Sequence, residues 1–315
     1  MKLQLRPAWP ALIALGTLYI YLAFAAPKFY RADNLRDLAL ANVAVLLVST
    51  GMTLVIVLGE IDISVGATFA VCSIICGTFA KLGVPAILWP LVALAAGSIL
   101  GATNGALVSF VKAPSIVVTL ATMVTWRETL RWITNGAWIE GLPNTFQWFG
   151  LGQRRGEAVI VASAALLFGI LWWTSRNLSA VRAIYATGSD AEAARLAGIP
   201  TKQLVLSVFV VMGALTGIAA LLNAVRFSDV PANSGINLEL KAIAAVVVGG
   251  TPITGGRGNL VGTLLGVMLL GSIGPALIFL GVSPYWEKAI QGGIILAGVL
   301  VDAISRWRGR RVEFA

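Results

Sequence analysis

Apolar residues run along this chain in long blocks separated by polar connections. The blocks are Ala8–Ala26, Leu38–Leu58, Ile63–Ala80, Ala86–Phe110, Ser115–Thr134, Ala158–Thr174, Leu204–Val225, Ala242–Ile253, Leu260–Leu280 and Tyr285–Val301. A helix rises 1.5 Å per residue, so about 20 apolar residues cross a hydrocarbon core. The pattern predicts an all-α fold, a polytopic transmembrane bundle of about ten helices. One block departs from it. Ala242–Ile253 is too short to span and leads into TPITGGRG (251–258), which predicts a broken or re-entrant segment. Irregular backbone at membrane depth survives only where protein or a water-filled cavity satisfies it. The break, with Thr251 and Thr254 on it, is therefore a candidate wall of a transport route.

Two connections are long. Asn135–Glu157 contains Trp138, Pro143, Trp148, Arg154 and Arg155 and reads as an interfacial loop. Ser175–Gln203 carries Arg176, Arg182, Arg195 and Lys202. With that loop in the cytoplasm, ten spans place both termini inside. Lys and Arg otherwise divide almost evenly between the two sides, so orientation rests on this loop and on the basic tail Arg306–Arg311. Within the loop, GSDAEAARLAGIP (188–200) predicts a short helix. Ser189 or Asp190 can cap it, Asp190 and Glu192 suit its positive end, and Gly198 and Pro200 stop it. Ala193, Ala194, Leu196 and Ala197 give it a small apolar face beside Arg195. Such a face gains little in a soluble loop unless something covers it.

Composition agrees with a membrane solvent. The chain has 315 residues, 58% hydrophobic and 12% charged, with a mean hydropathy of +0.87; soluble domains carry about 25% charged residues. No polar stretch is long enough for a soluble domain, so a single membrane domain is expected over 1–315. The net charge is +9, but the basic residues flank apolar runs, which assigns them to lipid headgroups rather than nucleic acid. The first block reads as a retained helix rather than a cleaved signal peptide. Histidine is absent, and with it the commonest metal ligand and general base. Cys72 and Cys76, four apart in an apolar run, read as small hydrophobes, not a disulfide or metal site. No carboxylates cluster in the sequence, which argues against an enzyme. Gly249, Gly250, Gly255, Gly256 and Gly258 lack the GxxxxGK[ST] pattern of a phosphate loop and read as close packing and a backbone break. No cofactor or metal is expected.

Four polar residues outside the loop are candidates for the route. Glu60 and Asp62 stand at the join of the second and third blocks, either as a charged rim or as a solvated turn with Asp62 capping the next helix. Arg127 lies about 18 Å along the fifth helix. It either snorkels to an interface beside Trp126 and Trp132 or makes a polar contact near the mouth of the route. Glu128 and Arg131 are spaced to pair. Asn104 either lines the route or bonds to a neighbour. GEIDISVG (59–66) can be laid on GGRGNLVG (255–262), and GATNGALVSFVKAP (101–114) on GSIGPALIFLGVSP (271–284). The two registers differ by about one helix and do not fit one simple duplication.

GEIDISVG (59–66), PSIVVTLATM (114–123) with Arg127 and TNG (134–136), GSDAEAARLAGI (188–199), and LELKAIAAVVVGGTPITGGRGNLVGTLLG (238–266) carry a likeness. Together they resemble the permease subunits of ribose/xylose-type ABC sugar importers, within the larger sugar and branched-chain amino acid permease superfamily. The likeness covers nearly the whole chain. It departs from the usual pattern at Glu60, where a glycine is usual, at Glu128, also usually glycine, and at Lys241, often an acid. The resemblance implies a permease subunit in a bacterial inner membrane that moves a monosaccharide or similar small polar solute and does no bond chemistry. It implies as partners a second permease copy or homologue, ABC ATPase subunits and a periplasmic solute-binding protein. It also implies that the helix carrying Gly188, Asp190, Glu192, Ala193, Ala194, Arg195, Leu196, Gly198 and Ile199 docks into a groove on the ATPase. An autoinducer-like furanosyl compound, a nucleoside or an amino acid is the alternative cargo. An ion-coupled secondary transporter would need intramembrane ionisable residues for its ion, and the few acids here sit near segment ends.

Overall fold

A computed structural model describes residues 8–294 and 296; the basic tail and the end of the last apolar block lie outside them. The described chain is all-α. Its helices are α1 (Trp9–Ala25), α2 (Ala32–Val57), α3 (Val65–Lys81), α4 (Trp89–Ser109), α5 (Ser115–Thr134), α6 (Gln153–Asn177), α7 (Ser179–Ser189), α8 (Ala191–Leu196), α9 (Thr201–Ala224), α10 (Leu238–Val248) and α11 (Leu260–Phe279). A further helix begins at 286 and is described to 294. Among the described residues, five helical segments are long and apolar enough to cross a membrane: α2, 86–109, α6, α9 and α11, while α1 and α3 are shorter apolar helices. α5 carries Arg127, Glu128 and Arg131 among its 20 residues.

Among the described residues each predicted block holds a helix, the last one followed to 294, with boundaries moved by a few residues. The short block is α10, 11 residues long, and the backbone does break after it, through 249–259. α6 starts at Gln153, so Arg154 and Arg155 belong to its first turn rather than to the preceding loop. The long polar connection holds two helices, not one: α7, which buries Val181, Ile184 and Thr187, precedes the expected α8.

Glycine sets the tightest packing. α4 lies along α9 more extensively than any other helix pair meets. A Cβ on Gly97 would fall 2.1 Å from the Gly213 carbonyl oxygen, and one on Gly101 2.2 Å from that of Phe209. These two glycines, four apart, let the backbones touch, the usual device where lipid supplies no hydrophobic drive between helices.

Contacts sort the connections into two ends. At one, Ile139 pairs with Val230, the Trp148 N–H donates to Val225 O, Lys81 donates to Glu140 O, and Phe29 meets Phe279 edge-on. At the other lie the α2–α3 turn (58–64), the α4–α5 turn, α7–α8 and the break at 249–259. The α1 start is there too, with Ala8 3.6 Å from where a Gly262 Cβ would stand. The stretches 59–66 and 255–262 meet at this second end, where a Cβ on Gly255 would lie 2.8 Å from Gly59 Cα. The other paired stretches, 101–114 and 271–284, finish at opposite ends.

Candidate functional site

The α2–α3 turn is held by side chains from two neighbouring helices. Ser115 Oγ, at the start of α5, accepts the Ile61 N–H at 3.2 Å, and Thr119 Oγ1 donates to Ile61 O at 3.4 Å. Glu60 is half-buried beside Ser115; burial pushes its carboxyl up and the serine bond opposes the shift. Asp62 is 3% exposed, and its Oδ1 accepts the Ser64 N–H at 2.9 Å and the Ser64 hydroxyl at 2.6 Å. It thus braces the residue just before α3 rather than the helix's first-turn N–H groups. Burial pushes its pKa up to about 6 against those bonds. Asn104, 0% exposed, donates from Nδ2 to Ser64 Oγ at 2.7 Å, while its Oδ1 is buried without a partner. Asn104, Ser64 and Asp62 form one donor-to-acceptor chain.

One level further toward the opposite end, Arg127 turns inward. It donates to Ser234 O at 3.5 Å. Glu239, in the first turn of α10, has its Oε2 buried without a hydrogen bond. A Cβ on Gly66 would lie 2.3 Å from that oxygen, 2.5 Å from Gly235 O and 3.3 Å from Arg127 Nη2. The segment after α9 therefore dips back so that the N-termini of α3 and α10 meet around these groups. Sequence reasoning missed Glu239, because an acid in a first helical turn reads as a dipole partner. The Glu128–Arg131 pair forms on the exposed side, at 2.8 Å.

The third cluster joins α7–α8 to the spans. Asp190 accepts the N–H groups of Glu192 and Ala193 at 3.0 and 2.9 Å and so caps α8. Glu192 pairs with Arg195 at 2.5 Å, which holds the Glu192 carboxyl below the usual range. Gly198, at φ +84°, ends the helix, its N–H reaching Arg195 O. The face differs from expectation. Ala194 is 5% exposed and turned into the helix bundle, while Leu196 is 74% exposed and Ala193 and Ala197 are also outward. Gly188 is not on α8. It ends α7, where a Cβ would fall 1.8 Å from Val57 O. The Gly256 N–H donates to that same Val57 oxygen at 2.8 Å, and Tyr185 Oη donates to Gly258 O at 2.9 Å. The end of α2, the end of α7 and the glycine-rich break meet backbone on backbone. Ile199 is partly buried just after α8. Thr251 is buried with its hydroxyl unpartnered, and Thr254 is exposed.

The family model described as branched-chain amino acid transport system / permease component matches residues 34–299. The chain belongs to this family. The permease is 33% identical to the ribose import permease protein RbsC of Escherichia coli (strain K12) over 296 residues, 93% of this chain and 92% of that protein. It is 32% identical to the ribose import permease protein RbsC of Haemophilus influenzae over 92% of this chain and 91% of that protein. With the autoinducer 2 import system permease protein LsrC of Salmonella typhi it shares 31% over 92% of this chain and 84% of that protein. No solved structure matches. Family membership and the apolar helices make the permease a multi-pass inner-membrane protein.

Proposed function

We propose that the permease imports a monosaccharide or similar small polar solute, delivered by a periplasmic binding protein and driven by separate ATPase subunits. The observation that carries this reading is the near full-length match to ribose import permeases. α7–α8 faces the cytoplasm and both termini lie on that side. The outward face of α8, with Ala193, Leu196 and Ala197, docks on the ATPase, and Gly188 passes its movement to α2 and to the break at 249–259. Two permease copies or homologues enclose the route. Glu60, Arg127 and the stretch carrying Thr251 and Thr254 border it, while Asp62 and Asn104 brace the turn behind them. ATP binding and hydrolysis elsewhere shift the permease between outward- and inward-facing states by stabilising them unequally.

The test is uptake by proteoliposomes holding the permease with its ATPase and binding protein. Labelled D-ribose or D-xylose should accumulate only with ATP inside and binding protein outside. Uptake without the ATPase, driven by an ion gradient, would overturn the reading. The match to autoinducer 2 permeases supports a second cargo, a furanosyl signal, which competition against ribose uptake separates from the first.

A further inference from the structure

A second polar site lies apart from the clusters above, inside a single subunit. A cavity of about 300 Å³ sits between α2, α10, α11 and the helix at 286–294. Asn34, Asp37, Asn42, Lys241, Glu287 and Gln291 line it. Gln291 donates to Glu287 Oε1 at 3.0 Å. Neither Asp37 nor Glu287 forms an ion pair with Lys241 among the described residues, although all three border the same space. Asp37 and Lys241 are exposed and Glu287 is half-buried, each within the first two turns of its helix, so the three charges border the mouth of the cavity and are free to meet a ligand in it.

The neighbouring helix is cut to fit. A Cβ on Gly271 would fall 1.9 Å from Asn42 Oδ1, and one on Gly274 2.5 Å from Glu287 Oε2. Both side chains are notched into α11, which holds them in place. α10 is the partition. Glu239 and Lys241 are two residues apart on a helix, about 200° around it, so Glu239 meets α3 and Arg127 while Lys241 meets this cavity.

We propose that this cavity is a binding site for a small polyhydroxylated solute, one in each permease subunit. Carboxylates and amide oxygens accept, while the ammonium and amide N–H groups donate. A sugar hydroxyl does both, so the mixed set suits a polyol better than an ion of either sign. The volume stands at the lower end of ligand pockets, the size for a single small ring. The proposal rests on the importer reading for its solute class.

Two measurements test it. In the purified permease with Cys72→Ser and Cys76→Ser, a cysteine at Ala41, on the cavity wall, should react with a charged thiosulfonate, and one at buried Val43 should not. Millimolar D-ribose should slow the Ala41 reaction at least threefold, about 0.7 kcal/mol of protection. In the full reconstituted complex, Lys241→Met and Glu287→Gln should cut ribose uptake about tenfold, equivalent to about 1.4 kcal/mol. ATP hydrolysis stimulated by the loaded binding protein should stay within about twofold. An unreactive Ala41 cysteine means a dry cavity and overturns the proposal. Reaction without protection by ribose overturns it as well, leaving only a hydrated notch. Absence of sugar uptake by the wild-type complex counts against the importer reading instead, and the protection result still decides the cavity.

Discussion

Asp62 is a buried carboxyl whose two visible bonds both come from Ser64. Its pKa stands near 6, above the value of about 3.9 in an unfolded chain. Between those values the folded permease keeps a proton that the unfolded chain has lost, so stability falls as pH rises from about 4 to about 6 and is level above. Asp62→Asn keeps an oxygen for both Ser64 bonds and removes the titration. The difference between wild-type and variant melting temperatures in detergent should therefore change across that window and flatten above it; a constant difference would show that Asp62 does not titrate there. Burial raises the neighbouring Glu60 carboxyl in the same direction, which is why the comparison uses the difference. Gly66 makes a sharper residue-scale case. Gly66→Ala places a methyl against Glu239 Oε2 and Gly235 O. Backbone cannot yield as a flexible side chain does, so a loss of about 1–3 kcal/mol is expected, read as a lowered melting temperature.

At the scale of elements, α8 separates two roles that its sequence presents as one apolar face. Leu196 is outward and Ala194 inward. Leu196→Glu should leave the permease folded and weaken ATPase association, with solute-stimulated hydrolysis falling about tenfold. Ala194→Glu would bury an unpaired charge against the bundle, a cost of several kcal/mol, and should reduce the folded permease itself. Equal behaviour of the two variants in a detergent melting assay would refute this orientation of α8. Gly198→Pro is expected to distort α8, because φ +84° is closed to proline. The α4–α9 contact answers to the same logic: Gly213→Ala sets a methyl 2.1 Å from Gly97 O and should force the helices apart, measurable as lost thermal stability. The extent of α8 was legible from its cap and stop residues. Its facing was not, because α7 decides it and announces itself only through Val181 and Ile184, three apart.

Across the whole molecule, the break after α10 connects α7–α8 to the spans. Single cysteines from 242 to 258, in the Cys72→Ser/Cys76→Ser background, should divide by burial. Ile253 and Thr254 are exposed and should react with impermeant thiol reagents, with rates that change on adding ATP to the complex. Ala242 and Ala245 are buried and should stay inert. Uniform inertness along the segment would reduce it to packed core. The isolated chain, lacking a phosphate loop, should bind no ATP in equilibrium dialysis; binding with turnover would contradict the division of labour between permease and ATPase.

Hydrophobic block length by itself determined the all-α membrane class, the helices of the apolar blocks and the short α10, because a hydrocarbon solvent leaves a helix's backbone polar groups no partner but each other; it did not announce α7. Local capping chemistry likewise determined α8, since Asp190 and Gly198 act on neighbours within a few residues. Only the tertiary structure decided which polar residues meet. Glu239 joins Arg127 because the chain after α9 folds back to bring the starts of α3 and α10 together. Gly188 meets Val57 and Gly256 through three segments far apart in sequence. Lys241 borders the same cavity as Asp37 and Glu287 because α10 turns its two polar residues to opposite sides. Periodicity tells which face of one helix is apolar; it carries no information about which distant helix supplies the group on the other side.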